Sequence, residues 1–192
     1  MDHIDLSALN FSEEASALLD LWGSLPRQKG YYCPEKSSFS PVSLGKNLKF
    51  IFMLEREDHE TLLVRVSGSD IRENLGQEIT GKNLFDLLPT EYLFSFKEYY
   101  TSLQHYPCAG KVIRPVARPT GGRQLLRTLH LPLLDHNGHA RFFVGVMNVE
   151  RLPMPFDELN NGVLAPRPAL EMIHVDLGAG LPGLRAVEPN CA

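Results

Sequence analysis

Residues Gly76-Gln77-Glu78-Ile79-Thr80-Gly81-Lys82 have the spacing G-x-x-x-x-G-K. Such a loop holds phosphates on its backbone N–H groups, with the lysine reaching the outer phosphates. Two of its requirements are unmet. Asn83 stands where Ser or Thr would bind magnesium, and the segment before Gly76 reads as a short helix rather than a strand. A turn between two helices is the better reading, with a nucleotide-binding enzyme as the alternative. His105 and Cys108 lie three apart, as do His136 and His139. Two such pairs brought together would make a four-ligand metal site. Both pairs fall at the ends of elements, where polar residues belong anyway, so no metal is expected. No G-x-S-x-G nucleophile elbow occurs. The paired carboxylates fall in the charged run Glu55-Arg56-Glu57-Asp58-His59-Glu60, which reads as a solvated turn. The chain is therefore expected not to be an enzyme.

The 192 residues carry 19 Lys and Arg against 23 Asp and Glu, for a net charge of -4. That length suits one domain with appendages. A modestly acidic chain does not bind nucleic acid or an anionic membrane through its overall field. No run approaches the ~20 apolar residues that span a bilayer. The start, Met1-Asp2-His3-Ile4-Asp5, has acid where a signal peptide has base. Cys33, Cys108 and Cys191 are odd in number and far apart. They argue against a disulfide scaffold and for a reducing, cytoplasmic location.

The elements that position these residues follow from periodicity. Asn10, with Glu13 as the partner of a capping box, opens a helix whose apolar stripe is Phe11, Ala15, Leu18, Leu19 and Trp22. Gly23 and Pro26 end it, and residues 26–47 read as a connecting loop. Leu48–Leu54 and Thr61–Val66 read as a hairpin. Asp70 caps a short helix that Gly76 closes. Leu84, Phe85, Leu87 and Leu88 form an apolar turn stopped by Pro89. Thr90 caps a longer helix with Leu93, Phe96, Tyr100 and Leu103 on one face, closed by Pro107. Three strands follow: Gly110–Ala117, Arg123–Leu134 and Ala140–Val149. The turn between the last two contains Asn137-Gly138, a strong hairpin signal. Residues 151–192 read as a mostly irregular tail with one ordered piece near Leu170–Val175. Strands at both ends and helices between them make an α+β fold with an antiparallel sheet and helices on one face.

Three segments carry a family resemblance. Gly68-Ser69 with Ile71 and Asn74-Leu75-Gly76 resembles the end of the second strand and the first short helix of the PAS fold. Glu78–Pro89 resembles its helical connection. Leu131-Pro132-Leu133-Leu134-Asp135-His136-Asn137-Gly138 resembles the turn before its last strand. The resemblance covers roughly 48–150 and is to short, stand-alone bacterial PAS proteins, in which a helix like Leu18–Trp22 precedes the domain. It implies a five-stranded antiparallel sheet whose helices enclose a small pocket. It divides the chain into an N-terminal helix and loop (1–47), the PAS-like domain (48–150) and the tail (151–192). It further implies a sensory or signalling role through an unidentified protein partner, and a homodimer. Some PAS proteins hold haem through a His on the long helix, where His105 is the only one here. No cofactor is the expectation, with haem or flavin left open.

For a ligand, the resemblance and the apolar strands point to Tyr99, Tyr100, Leu103, Arg114, His130, Phe143 and Met147. Phe142–Met147 is apolar on both parities, as in a strand buried on both faces. One face would meet the pocket helices and the other the N-terminal helix or a second subunit. No acid lies between Glu98 and Asp135, while Lys111, Arg114, Arg118, Arg123 and Arg127 all fall there. Such a basic hairpin could take an acidic partner. Trp22, Arg123 and Arg127 are accordingly the expected partner-binding residues. A ligand-free protein-interaction module, its pocket filled by its own aromatics, is the alternative reading.

Overall fold

The computed structural model describes residues 12–106, 108–118, 121–151, 170–177 and 180–182. Helix α1 (Glu13–Ser24) comes first, capped by Ser12, whose side chain accepts from the Ala15 N–H. The Asn10 cap expected from sequence lies outside the described residues. Two short 3-10 helices, Lys36–Ser38 and Pro41–Phe50, interrupt the stretch expected to be loop. Strands β1 (Ile51–Arg56) and β2 (Leu62–Ser67) form the first hairpin. Helix α2 (Ser69–Leu75) has Gly68, not Asp70, at its N-cap. A side chain at Gly68 would strike the Lys49 carbonyl, so only glycine lets the hairpin end this close to the preceding turn. Gly76 closes α2 in the left-handed conformation, as its position suggests.

After a 3-10 turn at Leu84–Leu87, helix α3 (Thr90–His105) begins behind Pro89, which takes the cap position expected for Thr90. Strands β3 (Ala109–Ala117), β4 (Arg123–Leu134) and β5 (Ala140–Arg151) follow. The β4–β5 turn closes as the Asn-Gly pair requires. Gly138 takes φ 82°, and the Asp135 carboxylate accepts from the Asn137 and His139 N–H groups at 2.9 Å each.

The sheet has six antiparallel strands, not five. The order is β2-β1-β5-β4-β3-β6, and β6 (Glu171–Val175) comes from the tail. The ordered piece near Leu170–Val175 is thus an edge strand. It pairs with β3, from Ala109 opposite Val175 to Ile113 opposite Glu171. An exposed β3 edge would leave a row of unpaired N–H and C=O groups, which β6 takes up.

The sheet is covered on both faces, which explains the apolar β5. Phe143 and Met147 belong to an inner core with α2, α3 and the 3-10 turn. Val144 and Val146 belong to an outer core with Ala15, Leu18 and Trp22 of α1. Of the two covers expected for the outer face, the chain's own helix is the one observed. Leu18 is fully buried, and Trp22 donates its indole N–H to the Pro132 carbonyl at 2.9 Å. That bond lies beyond the end of the β3–β4 pairing, which stops at Gly110 opposite His130. Burying side chains of this size contributes roughly 1.5–3 kcal/mol each. Arg27 then covers the indole face, its guanidinium carbon 4.5 Å from the ring centre. Among the described residues no helix is long and apolar enough to cross a membrane.

Candidate functional site

A cavity of about 70 Å³ lies between the inner face of the sheet and the helical layer. Its floor is sheet: Phe52 and Leu54 from β1, Arg114 from β3, Leu126, Thr128 and His130 from β4, and Met147 from β5. Its roof is Ile71 and Leu75 from α2, Leu84 and Leu88 from the connection, and Phe96 and Tyr100 from α3. The pleat explains the floor. Residues two apart share a face of a strand, so Leu126, Thr128 and His130 all point inward once His130 does.

Of the seven residues expected at a ligand site, Tyr100, Arg114, His130 and Met147 line this cavity. Tyr99, Leu103 and Phe143 are buried behind them as its supporting wall. Tyr99 places its hydroxyl 3.0 Å from His130 Nδ1. Phe143 packs edge-on against Tyr100, ring centres 5.2 Å apart. Phe52, Leu54, Leu126 and Thr128 line the cavity without having been expected to. Strand parity was the available signal for Leu126 and Thr128.

Two glycines make the His130 position. Gly145 of β5 and Gly110 of β3 are its register partners on either side. Neither has a side chain, and larger neighbours fill the two gaps. The Phe52 ring lies over Gly145 and meets the imidazole with ring centres 5.2 Å apart. The Tyr99 hydroxyl lies over Gly110. Desolvation holds His130 neutral, lowering its pKa to about 3, against a weaker opposing hydrogen bond with the Gly110 backbone. His174, on β6 opposite Gly110, packs on the far side of Tyr99 with ring centres 5.3 Å apart. Its pKa is also lowered by burial.

The cavity's polar groups are mostly donors. The Tyr100 hydroxyl is wholly buried and has no hydrogen-bond partner among the described residues. Burial raises its pKa, while the charges of Arg114 and Arg56 pull the other way. Arg114 is half-buried with its guanidinium 6.0 Å from the Phe96 ring centre. Desolvation lowers its pKa, opposed by the Tyr100 and Tyr92 phenols. Arg56 lies on the same face, stacked 5.0 Å over Phe85. It gives one hydrogen bond to the His59 carbonyl, and its Nε and Nη1 have no partner among the described residues. Thr128 spends its hydroxyl proton on the Val112 carbonyl at 3.5 Å.

The other sequence candidates lie apart. Gly76–Lys82 runs along β2, with Gly81 N–H donating to the Val64 carbonyl at 2.8 Å. The Glu78 carboxylate takes the Ile79 and Thr80 N–H groups, where a phosphate would have to sit. His105 is exposed, its Nδ1 donating to the Thr101 carbonyl, and does not line the cavity. Cys108 is buried, so the His105–Cys108 pair is divided between surface and core. Among the described residues no three His, Cys, Asp or Glu side chains converge on a metal position.

The hairpin cations also divide. Arg114 turns into the cavity, while Arg127 turns to the other face and pairs with Glu150 at 2.7 Å. Arg123 is exposed at the start of β4. Trp22 faces the chain's own sheet.

A structure of VqmA bound to DPO is 16% identical over 58% of this chain and 57% of that one, with a TM-score of 0.45. A Vibrio cholerae VqmA dimer, described with the LuxR-type receptors, is 16% identical over 56% of this chain and 49% of that one, with a TM-score of 0.44. The chain thus spans 57% and 49% of those two proteins. The light-state LOV domain of the blue-light photoreceptor Aureochrome1 is 13% identical over 58% of this chain and 87% of that one, with a TM-score of 0.42. No curated protein sequence matches. A PAS domain profile matches residues 11–148, from the start of α1 almost to the end of β5. By that match the chain belongs to the PAS domain family.

Proposed function

We propose that this domain senses a small ligand, without catalysis, and reports its occupancy to a protein partner. The observation that carries the reading is the Tyr100 hydroxyl. It is wholly buried on the wall of a cavity and lacks a hydrogen-bond partner among the described residues. Leaving such a group unsatisfied costs roughly 1–3 kcal/mol, and a ligand acceptor would recover that cost. The layer order supports transmission. Thr128, His130 and Met147 touch the cavity, while their strand neighbours Leu129 and Val146 touch the α1 side. A shift of β4 or β5 on binding is therefore felt by α1. A homodimer is part of the proposal, from the family resemblance. A reducing cytoplasm is too. It suits Cys33 and Cys108, two buried thiols that burial pushes up to about 12 and about 11.

Amide hydrogen exchange tests the sensor reading. The protein as purified is compared with protein stripped of small molecules by unfolding, dialysis and refolding. Exchange is expected to differ both in α3 and in α1, on opposite faces of the sheet. Identical exchange throughout would favour the second reading, a ligand-free interaction module. The small cavity volume and its tight ring of aromatics support that alternative.

A further inference from the structure

The geometry points to a small monocarboxylic acid as the ligand class, its carboxylate on Arg114 and Tyr100 and its short apolar body in the cavity. This rests on the ligand-sensing reading above and narrows it. The cavity wall contains one full charge, Arg114, and no Asp or Glu. Among the described residues Arg114 has no ion pair or hydrogen bond, and its ring contact with Phe96 leaves the guanidinium edge for an acceptor. Beside it stands the Tyr100 hydroxyl, unpartnered and fully buried. The two are close enough for each to shift the other's proton affinity. Arg56 adds a second positive charge whose field reaches the same hydroxyl.

Among the described residues these are donors without an acceptor, and for the fully buried Tyr100 hydroxyl that is costly. A carboxylate supplies what is missing, because it only accepts and can take two parallel N–H bonds from a guanidinium. A neutral ligand would leave Arg114 uncompensated. A phosphate ester would bring about two charges and more oxygens than one guanidinium and one hydroxyl satisfy. The rest of the lining is aliphatic or aromatic, from Leu54 and Val64 to Leu88 and Phe96, and calls for a hydrocarbon body. A cavity of about 70 Å³ limits that body to a short chain or a single ring.

The test is calorimetric titration of the full chain with hexanoate and with hexanamide, and with benzoate and benzamide. Each amide keeps the shape and removes the charge. At least one acid is expected to bind at least tenfold tighter than its amide, one such factor being about 1.4 kcal/mol. Arg114→Gln is expected to weaken acid binding at least tenfold and to leave the amide unchanged. Arg114→Lys keeps the charge and should retain part of the affinity. It also serves if the glutamine variant does not fold. Tyr100→Phe should give a smaller loss. Equal affinity for acid and amide, no binding by either acid, or full acid binding by Arg114→Gln would each overturn the proposal. The sensor reading is judged separately, because stripped and as-purified protein can differ in exchange whatever the ligand's charge.

Discussion

Gly145→Ala is expected to lower stability by roughly 3 kcal/mol, at the upper end of what overpacking a core costs. Gly145 is mid-strand in β5, paired to Phe52 on one side and His130 on the other. A Cβ there would overlap both the Phe52 ring and the Leu129 carbonyl oxygen. The ring has little freedom to retreat, since it packs on His130 and lines the cavity. The carbonyl is backbone in the centre of the sheet and has less. Urea unfolding measures the effect. Gly23→Ala is the matched control. It lies in α1 with nothing within 4 Å of its Cβ position, and should be neutral or gain up to about 1 kcal/mol from helix propensity. Wild-type stability in Gly145→Ala would mean that the Phe52 ring does not occupy this notch.

Acid is expected to destabilise the fold well before the carboxylates protonate. His130 in the unfolded chain takes a proton near its ordinary pKa of 6.5, and in the folded chain only near about 3. The stability it confers is complete above pH 6.5 and is lost as pH falls through that window. For one proton the limiting slope is about 1.4 kcal/mol per pH unit. His174 is shifted in the same direction, so it adds to the loss. Glu14, Glu60 and Asp135 also have lowered values, but their contribution is lost only as pH falls into the ordinary carboxylate range and below it. Denaturant midpoints between about pH 7 and about pH 5 therefore isolate the histidines. His130→Gln keeps a group able to bond Tyr99 and removes the titration. It should flatten the slope by up to one proton. An unchanged slope in that variant would mean that His130 titrates normally and is not buried as described.

Much of this was legible in the sequence, for identifiable reasons. Local signals gave the elements: the Asn137-Gly138 turn, Gly76 at the end of α2, and the helical spacing of Leu18 and Trp22. The two-sided apolar pattern of Phe142–Met147 correctly required cover on both faces. What escaped was long-range. β6 comes from a tail rich in proline and glycine, and its pairing depends on the free edge of β3, which local periodicity cannot register. The basic hairpin was one run in sequence, yet the alternation of β3 and β4 sends Arg114 inward and Arg127 to the other face. Gly110 and Gly145 carried no local sign of their use. Their role exists only because both pair with His130. Tyr100, Arg114, His130 and Met147 line the cavity, as polar or bulky residues on apolar elements suggest. Thr128 has no such local signal, because its place follows only from the parity it shares with His130 on β4.

The sensor reading requires a ligand in the cavity beside Tyr100 and Arg114. Native mass spectrometry of the freshly purified full chain, run beside Arg114→Gln, tests it most directly. A small additional mass is expected on the wild-type chain, carrying an acidic group by fragmentation, with its loss or marked depletion in the variant. A wild-type chain that flies at its bare mass, or an adduct equally retained by Arg114→Gln, would contradict it.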